Sequence, residues 1–235
     1  WGHDWVVLAL LIRRPWWAPT KMFALPIAFR LYVNRQGLAK GKPKKKLGSP
    51  TKPPGGKKAK WQRPPHHRTR PELLVELLHL VAGWLPDRRL VVCADSAYGG
   101  KSVLRQLPAN LGLISQVHPQ GVLPEPAPPR RKGHRGAGRK KGGRLPDLHG
   151  WANEASRPWQ ELKFDEYGLH TTLQVKTQQA LYYTAGKDRL LTIVLTRDKT
   201  GKRPDHRFYC TRLDWDVRQI LSTYASRWAL EVTFE

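Results

Sequence analysis

The chain has 235 residues, with 42 Lys and Arg against 18 Asp and Glu for a formal net charge of +24. A folded protein this basic calls for a polyanionic partner, with nucleic acid ahead of a membrane surface. No segment approaches the roughly 18 apolar residues of a spanning helix, so a membrane role is not expected. The two cysteines, Cys93 and Cys210, have no Cys-x-x-Cys spacing. They read as buried, structural thiols of a cytoplasmic protein.

Taken in chain order, Trp5 to Ile12 and Ala24 to Val33 are apolar and β-branched or aromatic enough to be strands. Residues 37–70 are dominated by Lys, Pro and Gly, a composition that buries too little surface to offset its ordering entropy, and read as a mobile basic loop. Within it, His66 and His67 read as part of a solvated linker rather than a metal site. Thr69-Arg70-Pro71-Glu72 has the form of a helix start, and Leu74, Leu77, Leu78, Val81 and Leu85 continue at helical spacing up to Pro86.

Leu90 to Ala94 is a short apolar run followed by Asp95, a helical segment at Lys101 to Leu107 and a second apolar run at Leu111 to Val117. Strand, helix, strand with short links predicts a parallel crossover, and functional groups collect at the carboxyl ends of such strands. Asp95 falls there. Pro119 to Leu148 is a second basic tract, expected to be disordered in the free protein and able to settle on phosphates. Gln174 to Ala185, Leu190 to Thr196 and Phe208 to Leu213 read as three further strands.

The last helix carries Tyr224, Arg227 and Glu231, whose spacings of three and four residues return them to one helical face. Leu221, Trp228 and Val232 form an opposite apolar stripe suited to a core. Carboxylates such as Asp95 and Glu231 can hold divalent ions for phosphoryl transfer on DNA. Each also has a local explanation. Asp95 can cap the turn that follows it, and Glu231 can pair with Arg227.

Asp95-Ser96-Ala97-Tyr98 after an apolar strand resembles the second-aspartate motif of bacterial insertion-sequence DDE transposases, and Tyr224, Arg227 and Glu231 match their Tyr-Arg-Glu-Lys signature in order and spacing. Gly138 to Pro146 and the opening Trp1 to Leu8 are similar to the same family. The resemblance implies an α/β fold, a ribonuclease-H-like mixed sheet with flanking helices, interrupted by a β-rich insertion. It also implies three catalytic carboxylates binding Mg2+, with Mn2+ as the alternative ion. On that pattern Asp95 and Glu231 are catalytic metal ligands, and Tyr224 and Arg227 support them. The family's first Asp and first core strand would lie upstream of Trp1, and its Lys beyond Glu235. The chain then reads as a fragment that is itself inactive. Gln116 to Gln120 stands where relatives tend to place Arg and Asp, a departure that leaves open whether the copy is intact or decayed.

The implied organisation is a first part of the core at 1–117, a basic linker and β-rich insertion at 118–213, and a signature helix returning to the core at 214–235. The implied partners are double-stranded DNA, as transposon ends and target, and a second copy in a homodimer within the nucleoid. Lys44, Lys45, Lys46, Arg139, Lys140, Lys141 and Arg144 are the expected phosphate contacts. The alternative is a basic nucleic-acid-binding protein whose carboxylates are only structural.

Overall fold

The computed structural model describes residues 3–13, 22–33, 67–129, 133, 136–166 and 169–234. Lys44, Lys45, Lys46 and His66 lie outside the described residues, as does most of the expected 37–70 loop.

Strands β1 (Asp4–Arg13) and β2 (Met22–Tyr32) form an antiparallel hairpin. Its register slips between Leu8 and Ala9, where Pro26 lies opposite Ala9. Proline has no N–H to give the ladder, so a bulge is the natural place for it. Helix α1 (Arg70–Trp84) follows, and the Glu72 carboxylate accepts from the Thr69 amide at 2.8 Å and the Thr69 hydroxyl at 2.9 Å. His67, just before this cap, departs from the solvated expectation: it is 1% exposed and its ring meets Tyr32 edge-on. The Tyr32 ring at the end of β2 gives it an apolar shelter that composition could not reveal.

A six-stranded sheet makes up the rest, in the order β3-β4-β8-β7-β6-β5. Its members are β3 (Leu90–Cys93), β4 (Leu111–Gln116), β5 (Gln160–Glu166), β6 (Leu169–Leu181), β7 (Leu190–Asp198) and β8 (His206–Cys210). Strands β3 and β4 are parallel, joined through helix α2 (Lys101–Leu104), and every other pairing is antiparallel. This is the mixed sheet with flanking helices that the resemblance implies. The later strands hydrogen-bond directly onto β4 through β8 and so continue its sheet.

The strands differ from expectation in extent and in number. The strand expected at Gln174 to Ala185 starts earlier and ends at Leu181, where α4 (Tyr183–Gly186) begins. Its partner β5 was not foreseen, since Gln160, Glu161 and Lys163 give it little apolar signal. One sheet face packs on α1 and α2 through Leu77, Leu78, Val103, Leu104, Leu113, Ile193 and Tyr209. The other packs Ile114, Val194, Phe208 and Cys210 against Ile220 and Leu221 of α5 (Val217–Ala225).

The second basic tract also departs from expectation, because residues 136–148 are ordered. Leu145 donates its N–H to Leu123 O, Glu125 to Gly143 O, and Gly142 to Glu125 O, each at 2.8 Å. The reason is local burial. Leu123 and Leu145 are nearly inaccessible, so the tract has apolar anchors despite its average composition. Helix α3 (Leu148–Asn153) follows, and its carbonyl end is tied down by the buried Lys176 ammonium, which donates to Trp151 O, Ala152 O and Glu154 O.

Candidate functional site

The site begins where β3 leaves the sheet. Ala94 still donates to Ile114 O at 3.0 Å, after which Asp95 turns the chain into a single 3-10 turn at Ser96–Tyr98. The Asp95 main chain is fixed to β4 by the Ser115 hydroxyl, which donates to Asp95 O at 3.0 Å. Its side-chain Oδ1 accepts the Ser96 N–H at 2.6 Å, so the turn-capping role is real. The carboxylate is nonetheless exposed, and among the described residues Oδ2 accepts no hydrogen bond. Behind the turn, the buried Tyr209 hydroxyl donates to Gly99 O at 2.9 Å. A Cβ at Gly99 would meet Ser115 Oγ at 2.5 Å and Gln116 O at 2.9 Å, so only glycine fits this close approach.

The second contribution comes from α5 and α6 (Trp228–Thr233). The Cys93 thiol donates to Thr223 O at 3.3 Å, joining the end of β3 to α5. Tyr224 lies with its ring 4.7 Å from that of Phe208 and beside the Arg227 guanidinium, 5.7 Å from the ring centre. Arg227 Nη1 in turn donates to Glu231 Oε1 at 2.7 Å. Burial opposes the charge on Arg227, but Tyr224, Glu231 and Asp95 together outweigh it and raise its pKa. For Tyr224, burial itself raises the pKa, against the pull of Arg227.

Asp95, Thr223, Ser226 and Arg227 line one cavity of about 870 Å³. Glu231 is not in its wall. It stands one turn beyond Arg227, which reaches both the cavity and Glu231. Both local roles anticipated for the carboxylates are therefore present: a cap at Asp95 and an ion pair at Glu231. Neither uses both oxygens, since among the described residues Glu231 Oε2 also accepts no hydrogen bond.

The expected apolar stripe on the last helix is corrected. Leu221 is buried, but Trp228 is 58% and Val232 55% exposed. The helix is not continuous: Arg227, Ala229 and Leu230 donate to residues three back, Tyr224, Ser226 and Arg227. This tightening from about 3.6 to 3.0 residues per turn rotates α6 relative to α5. Ala229 becomes the buried residue, and the Thr233 hydroxyl reaches Ala24 O of β2 at 3.2 Å.

Tyr98 is a site residue that sequence reasoning did not single out. It lines the same cavity, and burial raises its pKa while Arg70 opposes the shift and Asp4 and Asp95 add to it. Its place in the Asp95-Ser96-Ala97-Tyr98 run was the available signal. Asp4 is bound by Arg70, whose guanidinium also lies 4.3 Å from the Tyr32 ring centre. Arg139, Lys140, Lys141 and Arg144 are exposed on the 123–145 loop, where Lys141 sits 5.2 Å over the Tyr183 ring centre.

As metal donors, Asp95 and Glu231 offer the hard oxygens that Mg2+ prefers, and Mg2+ keeps several waters and often takes only one or two protein carboxylates. The donor chemistry fits. Among the described residues no cluster of three or more His, Cys, Asp or Glu forms around them.

A family described as DDE superfamily endonuclease matches residues 14–189, a stretch that contains Asp95 and ends before Tyr224. No curated protein and no solved structure matches the chain.

Proposed function

The chain belongs to the DDE superfamily of endonucleases, and from that premise we propose that it is the core of a transposase that cleaves DNA at transposon ends and joins them to a target. Nuclease-type chemistry on DNA follows from the family. The transposase reading is carried by one observation: a strand-end Asp95 and Arg227, contributed by elements far apart in sequence, line the same cavity, with Tyr224 beside Arg227.

In this reading Asp95 and Glu231 would hold Mg2+, and the ion when bound would supply polarisation of the phosphate and activation of the attacking oxygen. Asp95 contributes through Oδ2, with its main chain fixed by Ser115. Arg227 sets the rotamer of Glu231 and places a cation near the scissile phosphate. Tyr224, wedged against Phe208, keeps Arg227 in position. Lys44, Lys45, Lys46, Arg139, Lys140, Lys141 and Arg144 hold duplex DNA by its phosphates, a sequence-independent and salt-dependent grip.

Metal-dependent nicking and strand transfer should be assayed with the protein expressed from its complete reading frame. Asp95→Asn and Glu231→Gln, which keep size and remove charge, should each abolish both reactions. Activity that survives the two substitutions together overturns the assignment. Retained DNA binding without any cleavage in the unsubstituted protein would favour a non-catalytic DNA-binding role.

A further inference from the structure

We propose that the Tyr98 hydroxyl binds the DNA, donating a hydrogen bond to a non-bridging phosphate oxygen of the strand laid against Asp95. The inference deepens the transposase reading and rests on it. Tyr98 ends the 3-10 turn that Asp95 begins, and both side chains line the same cavity as Arg227. The ring packs against the core that α1 closes, and the residue as a whole is half-buried. Among the described residues nothing takes up its hydroxyl.

The backbone around Tyr98 is held from both sides. Its N–H donates to Asp95 O at 2.9 Å, and the Ser115 hydroxyl donates to that same carbonyl at 3.0 Å. On the other side the Tyr209 hydroxyl donates to Gly99 O at 2.9 Å. Ser115 and Tyr209 are register partners on β4 and β8, so the sheet grips the turn by the two carbonyls that flank it. A phenol carried on so rigid a turn loses little freedom when it meets a ligand.

Chemistry selects that ligand. Burial raises the pKa of Tyr98, Arg70 opposes the shift, and Asp4 and Asp95 add to it, so the phenol keeps its proton. A neutral phenol is a donor in search of an acceptor, whereas Mg2+ takes the lone pairs of hard oxygens. The non-bridging oxygens of a DNA phosphate are acceptors, and a hydroxyl is one of the groups that meets them. Neutrality also matters at this position. A Lys or Arg here would be drawn onto Asp95, whose Oδ2 accepts no hydrogen bond among the described residues. A hydroxyl reaches a phosphate and leaves that carboxylate free. The nearby cation cannot serve instead, because Arg70 is bound to Asp4.

The test is a cycle between protein and DNA, run with the protein expressed from its complete reading frame. Its substrate is a duplex carrying the nicking site mapped for the unsubstituted protein. Single methylphosphonates, which remove the charge of one phosphate, replace in turn each phosphate near that site. Tyr98→Phe should slow single-turnover nicking about ten- to a hundredfold, with urea unfolding little changed. At one phosphate the methylphosphonate should slow the unsubstituted protein and slow Tyr98→Phe hardly further, while elsewhere the two effects should multiply. A ring needed only for packing gives multiplication at every position, and that result overturns the proposal. So does Tyr98→Phe that nicks at the full rate. Nicking that is lost in Asp95→Asn yet shows no coupled phosphate defeats this proposal alone. A protein that nicks no DNA defeats the transposase reading and this proposal with it.

Discussion

Strands β1 and β2 are as apolar as β7 and β8, yet they are buried to very different extents. Leu191, Ile193, Leu195 and Tyr209 are wholly inaccessible. On the hairpin, Trp5, Leu10, Ile12, Leu25, Ile27, Phe29 and Leu31 are between 36% and 60% exposed. Strand β7 has a neighbour on each edge and a packed layer on each face. Among the described residues the hairpin has α1 against one face, α6 over part of β2, and no strand beside β1 other than β2. An apolar strand pattern marks surface that needs covering, and neighbours decide whether it is covered.

The largest expected effect tests that contrast directly. Ile193→Ala in β7 should destabilise the protein by about 2–5 kcal/mol, since the cavity left behind cannot collapse within a sheet packed on both faces. Phe29→Ala on the exposed hairpin face should change stability by no more than about 0.5 kcal/mol. Urea unfolding of both variants measures the pair, and equal losses would show that the hairpin face is covered in solution.

Next in size is Lys176→Met, which leaves Trp151 O, Ala152 O and Glu154 O without their shared donor and should cost about 1–3 kcal/mol. Limited proteolysis should then cut first near residues 151–157, where α3 loses its anchor. Cleavage in the hairpin instead would mean that the two halves unfold together.

Tyr209→Phe removes the hydroxyl that holds Gly99 O and should cost about 0.5–1.5 kcal/mol. Because this bond supports the turn after Asp95, nicking by the complete enzyme should fall more than stability does. A loss of stability with full activity would show that Tyr209 does not position the turn.

The smallest effect is a pH dependence in β8. Burial lowers the pKa of His206 below its ordinary 6.5, opposed only by Asp205. The folded state then binds fewer protons than the unfolded state at this position, so its contribution is complete above pH 6.5 and declines as the pH falls below it. His206→Gln should flatten that part of a melting-temperature profile. The profile of the hairpin's exposed face should not change.

Much of the site was legible because its signals are local. Asp95 follows a four-residue apolar strand, and the Thr69 to Glu72 cap depends on residues three apart. Arg227 and Glu231 find each other at a separation of four, as the helical spacing predicts. What was not legible depended on distant partners. The tightened turn that exposes Trp228 and Val232 accompanies the docking of the last helix on β2, where Thr233 bonds to Ala24, more than two hundred residues away in sequence. Strand β5 is polar in composition and is a strand because β6 extends far enough to pair with it.

By itself the sequence determined the local conformations, the basic charge, and which residues could carry phosphoryl-transfer chemistry, because propensity, capping and periodicity act over a few residues. Only the tertiary structure decided that Asp95 and Arg227 share one cavity, that Leu123 and Leu145 pin a basic tract otherwise fit for disorder, and that residues of β1 and β3 line that same cavity. Those outcomes depend on edge pairing and burial between segments remote in the chain, which no local pattern encodes.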